Sequence, residues 1–165
     1  MSVEPQHFRQ ALAKFASGVT IISTLGADGV PVGVTVSAFT SLSLSPPLIL
    51  ICLDNMTSQI RAYTDGKGFN VNILSAGQED ISNAFAYPGP IPPFDTVPYE
   101  QGILGFPLIR NASANLECRR EAVYPGGDHV IVVGEVMHAL WDDSLDPLVY
   151  AAGKYRTLRH LEPTA

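Results

Sequence analysis

From Gly33 to Pro47 the chain reads GVTVSAFTSLSLSPP, an alternation that dictates extended backbone. Thr35, Ser37, Ser41, Ser43 and Ser45 fall at every second position, interrupted by Phe39, with Val34, Val36, Ala38, Leu42 and Leu44 between them. Side chains two apart share one face of a strand. The spacing therefore predicts a surface lined with small hydroxyls and an opposite face that packs inward. Serine is a weak strand former, and solvent-facing strands ordinarily carry Lys, Glu or Thr. Such a row suits a flat polar ligand that approaches the backbone closely. A Ser-rich turn between two strands fits the same letters.

The flanking sequence continues the strand pattern. Val19–Thr24 is rich in β-branched residues and leads through Gly26-Ala27-Asp28-Gly29 into Val30–Val36, a hairpin signal. Leu48–Leu53 reads as a buried strand, and Phe69–Leu74 alternates Phe, Val and Ile with two Asn. Further strands are expected at Ala114–Arg119 and Val130–Trp141. Phe8, Leu12 and Phe15, with Ala11 beside them, predict an amphipathic helix over about Pro5–Ala16, stopped by Gly18. Shorter helices are expected at Ser58–Tyr63 and Gln78–Ala86. Tyr87–Gly102 carries five of the 13 prolines and reads as a surface loop or lid. Short strands, few helices and frequent turns predict a mainly β, antiparallel barrel with helical additions, in a single domain over residues 1–165.

Composition narrows the partners. Charged residues make up 16% of the 165, against roughly one quarter in typical domains, which predicts surface covered by a second copy of the chain. A net charge of −6 without a basic run argues against nucleic acid, though backbone N–H groups can still bind a phosphate-bearing small molecule. MSVEPQHFRQ lacks the charged and apolar regions of a signal peptide, and no apolar run has the length of a membrane span. Cys52 and Cys118 lie in apolar strand-like runs and are expected to be reduced core residues of a cytoplasmic protein.

Several chemistries have no footing. There is no GxSxG elbow, no GxGxxG and no GxxxxGK[ST]; His7, His129, His138 and His160 are scattered, so no metal-ligand spacing appears. Asp142-Asp143 reads as a solvated turn. Two signals join the hydroxyl row. In Cys52-Leu53-Asp54-Asn55-Met56-Thr57-Ser58 a buried strand runs into a helix start, where Thr57 or Asn55 can cap or free N–H groups can hold an anion. Gly126-Gly127-Asp128-His129 is a flexible turn that delivers a histidine to the start of a strand, which fits a surface residue as well as a catalytic one.

Together these residues resemble the short-chain flavin reductase family, whose fold is an FMN-binding split barrel of antiparallel Greek-key type. The resemblance runs from Phe8-Arg9 through Phe15–Thr20, Gly33–Pro47, Phe69–Leu74, Phe85, Leu116-Glu117-Cys118 and Gly127-Asp128-His129. It ends with Pro147–Tyr150 and Gly153-Lys154-Tyr155. It implies that Thr35, Val36, Ser37 and Ala38 lie along the isoalloxazine ring of FMN or FAD. Ser41 and Ser43 would hold ribityl or phosphate oxygens, as would Asn55 and Ser58. Cys52, Leu53 and Asp54 would form the wall between them, and Phe85 would press from the second helix. His129, as the catalytic candidate, and Tyr155 match positions that contact the nicotinamide nucleotide in relatives. Arg9 would steady a dimer or the phosphate region.

The resemblance implies hydride transfer from NADH or NADPH to flavin, as the reductase component of a two-component monooxygenase, in a homodimer. Few Arg or Lys lie outside Arg119-Arg120 and Arg156–Arg159, so no clamp for a 2′-phosphate is evident and NADH is favoured. A flavin-retaining electron carrier and a silent split-barrel interaction module are the alternatives. Weak, exchangeable flavin distinguishes the reductase from the carrier, and any flavin binding at all distinguishes both from the module.

Overall fold

A computed structural model describes residues 3–158; Arg159 and His160 lie outside the described residues. In chain order the elements are α1 (Pro5–Leu12), β1 (Ser17–Gly18), β2 (Thr20–Leu25), β3 (Pro31–Val36), β4 (Phe39–Leu44) and β5 (Pro47–Asp54). Then come α2 (Ile60–Thr64), β6 (Gly68–Ile73), α3 (Glu79–Ala86), a 3-10 turn at Pro93–Asp95, β7 (Tyr99–Gln101) and β8 (Pro107–Ile109). The long pair β9 (Ala114–Gly126) and β10 (His129–Trp141) follows, then β11 (Val149–Ala151) and β12 (Lys154–Arg156).

Seven strands form one antiparallel sheet in the order β3-β2-β6-β9-β10-β5-β4. The sheet curls. Val32, Val34 and Val36, on one edge strand, pack into the same core as Ile49, Ile51 and Leu53, which lie near the other edge. Both faces of β2 are covered, because successive side chains point opposite ways. Ile22 enters that first core with Phe69, Val71 and Val132, whereas Ile21 enters a second with Leu74, Phe85, Ile109 and Leu148. Each such aliphatic or aromatic side chain contributes about 1.5–3 kcal/mol on burial.

The two Asn of β6 are buried because each supplies hydrogen bonds that other elements need. Asn72 Nδ2 donates to Ile21 O (2.9 Å) and Ser23 Oγ (2.8 Å), while its Oδ1 accepts from Ile109 N and Asn115 Nδ2, both at 2.8 Å. Asn70 Nδ2 donates to the carbonyls of Phe106 and Pro107. These bonds fasten β8 to the sheet where apolar contact alone would leave backbone groups unpaired.

Four expectations are corrected. The hydroxyl row is not one strand face: the chain leaves β3 at Ser37-Ala38 and re-enters the sheet as β4 at the opposite edge, with a register shift between Ser41 and Ser43. Helix α1 ends at Leu12, with Ala13 as its C-cap, and Gly18 belongs to β1; Phe8, Leu12 and Phe15 are all exposed. Helix α2 starts at Ile60 behind Gln59 (φ 54°), and no side chain caps it, Asn55 and Thr57 included. Residues 87–102 are not a bare loop. Val97 is buried, and the rings of Phe85, Phe94 and Tyr99 meet edge to face at 4.8 and 5.0 Å.

Candidate functional site

Strand β3 is an edge, hydrogen-bonded to β2 on one side only, so half of its backbone N–H and C=O groups face outward. Three clefts run along it and share walls. One, of about 240 Å³, lies between Val34–Ala38 and Cys52, Leu53, Asp54, Thr57 and His129. A second, of about 300 Å³, adds Gly33, Met56, Ser58, Phe85 and Pro88. The third, of about 320 Å³, continues from Thr35 and Ser37 to Ser82, Asn83, Lys154 and Tyr155.

Local chemistry explains why the chain leaves this edge open. At Gly33 the Phe85 ring lies where a side chain would stand: a Cβ there would meet Phe85 Cε1 at 2.6 Å. Helix α3 is pinned across the strand from two directions. Thr35 Oγ1 donates to Ser82 O (2.6 Å), and the Tyr155 hydroxyl lies 2.9 Å from both Ser82 Oγ and Asn83 Oδ1. On the far wall, burial alternates along β5, so Ile51 and Leu53 face the core while Cys52 is only partly buried and lines the cleft. Cys118, by contrast, is fully buried, and burial together with the nearby Glu117 charge pushes its thiol up to about 12.

The Gly-Asp-His turn closes the cleft at one end. His129 pairs with Asp54 in the β10–β5 ladder, and its Nδ1 lies 2.7 Å from Asp128 Oδ1. That hydrogen bond, with the imidazole charge, holds the Asp128 carboxyl below the usual carboxylate range. Asn55 is committed to the same turn, since its N–H donates to Asp128 O (3.0 Å) and its Nδ2 to Gly127 O (3.3 Å).

The structure brings together Thr35, Val36, Ser37, Ala38, Cys52, Leu53, Asp54, Ser58, Phe85, Tyr155 and His129 around one edge strand. Val36 and Leu53 are buried, so they offer the cleft little beyond backbone. Ser41 and Ser43 stand apart on β4: Ser41 is exposed, Ser43 is half-buried and its Oγ accepts from Ser45 N, and neither lines the three clefts. Asn55 braces the turn and lines none of the three clefts. Tyr155 and His129 lie in different clefts, on either side of the Thr35–Ser37 stretch. Gly33, Thr57, Asn83 and Lys154 also line the clefts; Gly33, Thr57 and Lys154 lie in stretches the sequence singled out without being assigned a contact, and Asn83 carries no sequence signal.

The flavin reductase-like domain model matches residues 12–159, most of the chain. The chain belongs to that family. An FMN reductase (NADH) of Agrobacterium fabrum, SmoA, is 38% identical over 90% of this chain and 83% of its own length. The reductase component of a 4-hydroxyphenylacetate 3-monooxygenase from Thermus thermophilus is 39% identical over 92% of this chain and 95% of its own. The solved structure of SgcE6, an NADH:FAD oxidoreductase of Streptomyces globisporus, superposes with a TM-score of 0.89 at 36% identity. It covers 97% of this chain and 98% of that one. The same oxidoreductase has been solved with NAD and FAD fragments. The chain spans about half the length of another relative, from Rhizobium meliloti, to which it is 38% identical. Among the described residues no helix is long and apolar enough to cross a membrane, and no cluster of ligating side chains is placed to hold a metal.

Proposed function

We propose that the chain is an NAD(P)H:flavin oxidoreductase that transfers hydride from nicotinamide C4 to flavin N5, as the reductase component of a two-component monooxygenase. The observation that carries this reading is the continuous cleft along the free edge of β3. An isoalloxazine presents alternating donors and acceptors on its pyrimidine edge. An edge strand with small side chains offers complementary backbone groups at close range. FMN or FAD in this cleft supplies the electron acceptor, a ring that takes up two electrons and a proton as hydride.

The chain's own residues have modest tasks. Thr35–Ala38 bind and orient the ring. Cys52, Leu53 and Phe85 wall it from water, which favours ring-to-ring stacking at reacting distance. Ser58 stands at the far end, near the turn into α2, as a ribityl or phosphate contact. His129 donates to or accepts from the carboxamide or pyrophosphate of the nucleotide. No acid–base pair is required, in keeping with a cleft of hydroxyls and backbone.

The finer architecture is read in the same way: a split barrel, formed by one curled sheet whose edges approach without a continuous ladder, in a single domain. A homodimer is supported by the apolar face of α1 and the groove of about 780 Å³ beside it, lined by Leu12, Phe15, Phe39, Leu50 and Tyr150. Arg9 lies in that groove with Ser37 and Ala38, where a dimer contact also abuts the cleft. A cytoplasmic location fits the two unpaired thiols.

Steady-state oxidation of NADH and NADPH with added FMN or FAD tests the reading. Oxidation that rises with added flavin is expected, faster with NADH, and His129→Ala is expected to raise the nucleotide KM while sparing flavin affinity. Protein that purifies yellow and oxidises neither nucleotide in excess flavin would replace this reading with the flavin-retaining carrier.

A further inference from the structure

The turn that presents His129 is fixed on three sides. Gly127, at φ +76°, reverses the chain between β9 and β10, a conformation that costs a side-chain-bearing residue more than glycine. Asn55 ties the carbonyls of Gly127 and Asp128 to the end of β5. The β10–β5 ladder holds the His129 backbone opposite Asp54. With the backbone so constrained, the ring is the remaining freedom, and Asp128 Oδ1 sits 2.7 Å from its Nδ1.

We propose that Asp128 is a positioning residue: by accepting a hydrogen bond from His129 Nδ1–H it fixes the imidazole tautomer and turns Nε2 toward the nucleotide. The proposal rests on the reading of the cleft as the flavin–nicotinamide site. An ionised carboxylate only accepts hydrogen bonds, so the nitrogen bonded to it must carry the proton. In the neutral ring Nε2 is then the acceptor, matched to an N–H of a carboxamide. In the charged ring Nε2–H is a donor, matched to a pyrophosphate oxygen. Two carboxylates share this end of the cleft: Asp54, opposite His129 in the ladder, accepts from Met56 N through Oδ1 (2.8 Å), and Asp128 contacts the imidazole itself. Asp128 is the carboxylate in hydrogen-bond contact with the ring, and its side chain is 91% exposed.

The test measures kcat, NADH KM and flavin affinity for Asp128→Ala, Asp128→Asn and His129→Ala, and for Asp128→Ala combined with His129→Ala, from about pH 5.5 to about pH 9. Asp128→Ala is expected to raise the NADH KM about three- to tenfold, the range of one lost hydrogen bond, with kcat and flavin affinity near wild type. Asp128→Asn keeps an acceptor for Nδ1–H, so KM is rescued to within about twofold at high pH. In the His129→Ala background, Asp128→Ala is expected to have no further effect. A wild-type KM in Asp128→Ala beside a raised KM in His129→Ala overturns the positioning role alone. An equal Asp128→Ala effect with His129 absent overturns it as well. An unchanged KM in His129→Ala overturns the proposed role of the cleft residue itself.

Discussion

Replacing Gly33 with Ala tests whether α3 settles over the cleft because β3 has no side chain beneath Phe85. A Cβ at this position would stand 2.6 Å from Phe85 Cε1, 2.9 Å from Phe85 Cδ1 and 3.1 Å from Phe94 Cε2. Carbon atoms in contact rest at about 3.5–4.0 Å, so the Phe85 ring would have to withdraw by about 1 Å. It has little room to do so. Phe85 is 3% exposed, Phe94 stands edge-on to it at 4.8 Å, and Phe94 is backed by Tyr99 at 5.0 Å. Overpacking of this kind costs about 1–3 kcal/mol, against a gain of about 0.5–1 kcal/mol from replacing glycine within a strand.

At mid-range values the net loss is about 1 kcal/mol, and at about 2–4 °C per kcal/mol for a domain of this size the midpoint should fall by about 2–4 °C. Thermal and urea unfolding followed by circular dichroism measure it. Phe85→Leu alone leaves a void and should also destabilise. Combined with Gly33→Ala, however, the smaller side chain yields the space, so the double variant should be more stable than the two losses predict by about 1 kcal/mol. A wild-type midpoint in Gly33→Ala, or strict additivity with Phe85→Leu, would refute the close-approach argument.

Four further perturbations probe neighbouring parts of the fold. Glu117, 1% exposed, accepts hydrogen bonds from Ile103 N (3.1 Å) and Leu104 N (2.8 Å). Glu117→Gln sets an amide donor against one of these donors and should cost about 1–3 kcal/mol in urea unfolding, and an unchanged midpoint would mean the turn is not held from beneath. Tyr155→Phe removes the hydroxyl between Ser82 and Asn83 and should lower stability by about 0.5–1.5 kcal/mol; protection of α3 amides against hydrogen exchange should fall first. A thiol reagent should label Cys52 in the native protein and spare Cys118 until unfolding, with saturating FMN slowing the Cys52 reaction. Because burial raises the Cys118 thiol from 9.0 to about 12, its contribution to stability is complete below the unfolded value and is lost as pH rises through that window. Tyr63, whose phenol burial also raises, acts in the same direction. A urea midpoint constant from about pH 8.5 to about pH 11 would contradict both.

The strands were legible in the sequence because period-two alternation and β-branched composition are local properties, and β2, β5, β6 and β10 lie within a residue or so of their expected positions. What the alternation does not encode is which edge of a sheet a strand occupies. Thr35 and Ser41 belong to one unbroken pattern of letters, yet they lie on opposite edges, because the Ser37-Ala38 crossing preserves the alternation while exchanging one partner strand for another. The same blindness applies to α1. Its spacing declares an apolar face, and only the assembled sheet reveals that Phe8, Leu12 and Phe15 find no core within the described chain. Residues 87–102 were misread for a related reason. Proline density marks irregular backbone, but Phe94, Val97 and Tyr99 pack through contacts distant in sequence.

Long-range geometry also separates two kinds of polar residue that look alike in the sequence. Asn55 and Ser58 sit in one short turn, but Ser58 reaches a cleft while the Asn55 amide secures the turn that carries His129. The side chains around this cleft thus divide into those free to meet a ligand and those already engaged. Thr35 and Tyr155 hold α3 to β3 and β12, and Asn55 holds the histidine turn to the end of β5, which leaves the outward backbone of β3 open along the cleft. A cleft that recognises through backbone tolerates side-chain exchange wherever the strand stays extended. Substitutions that move α3 or the histidine turn should therefore perturb ligand affinity more than conservative exchange of Ser37 itself.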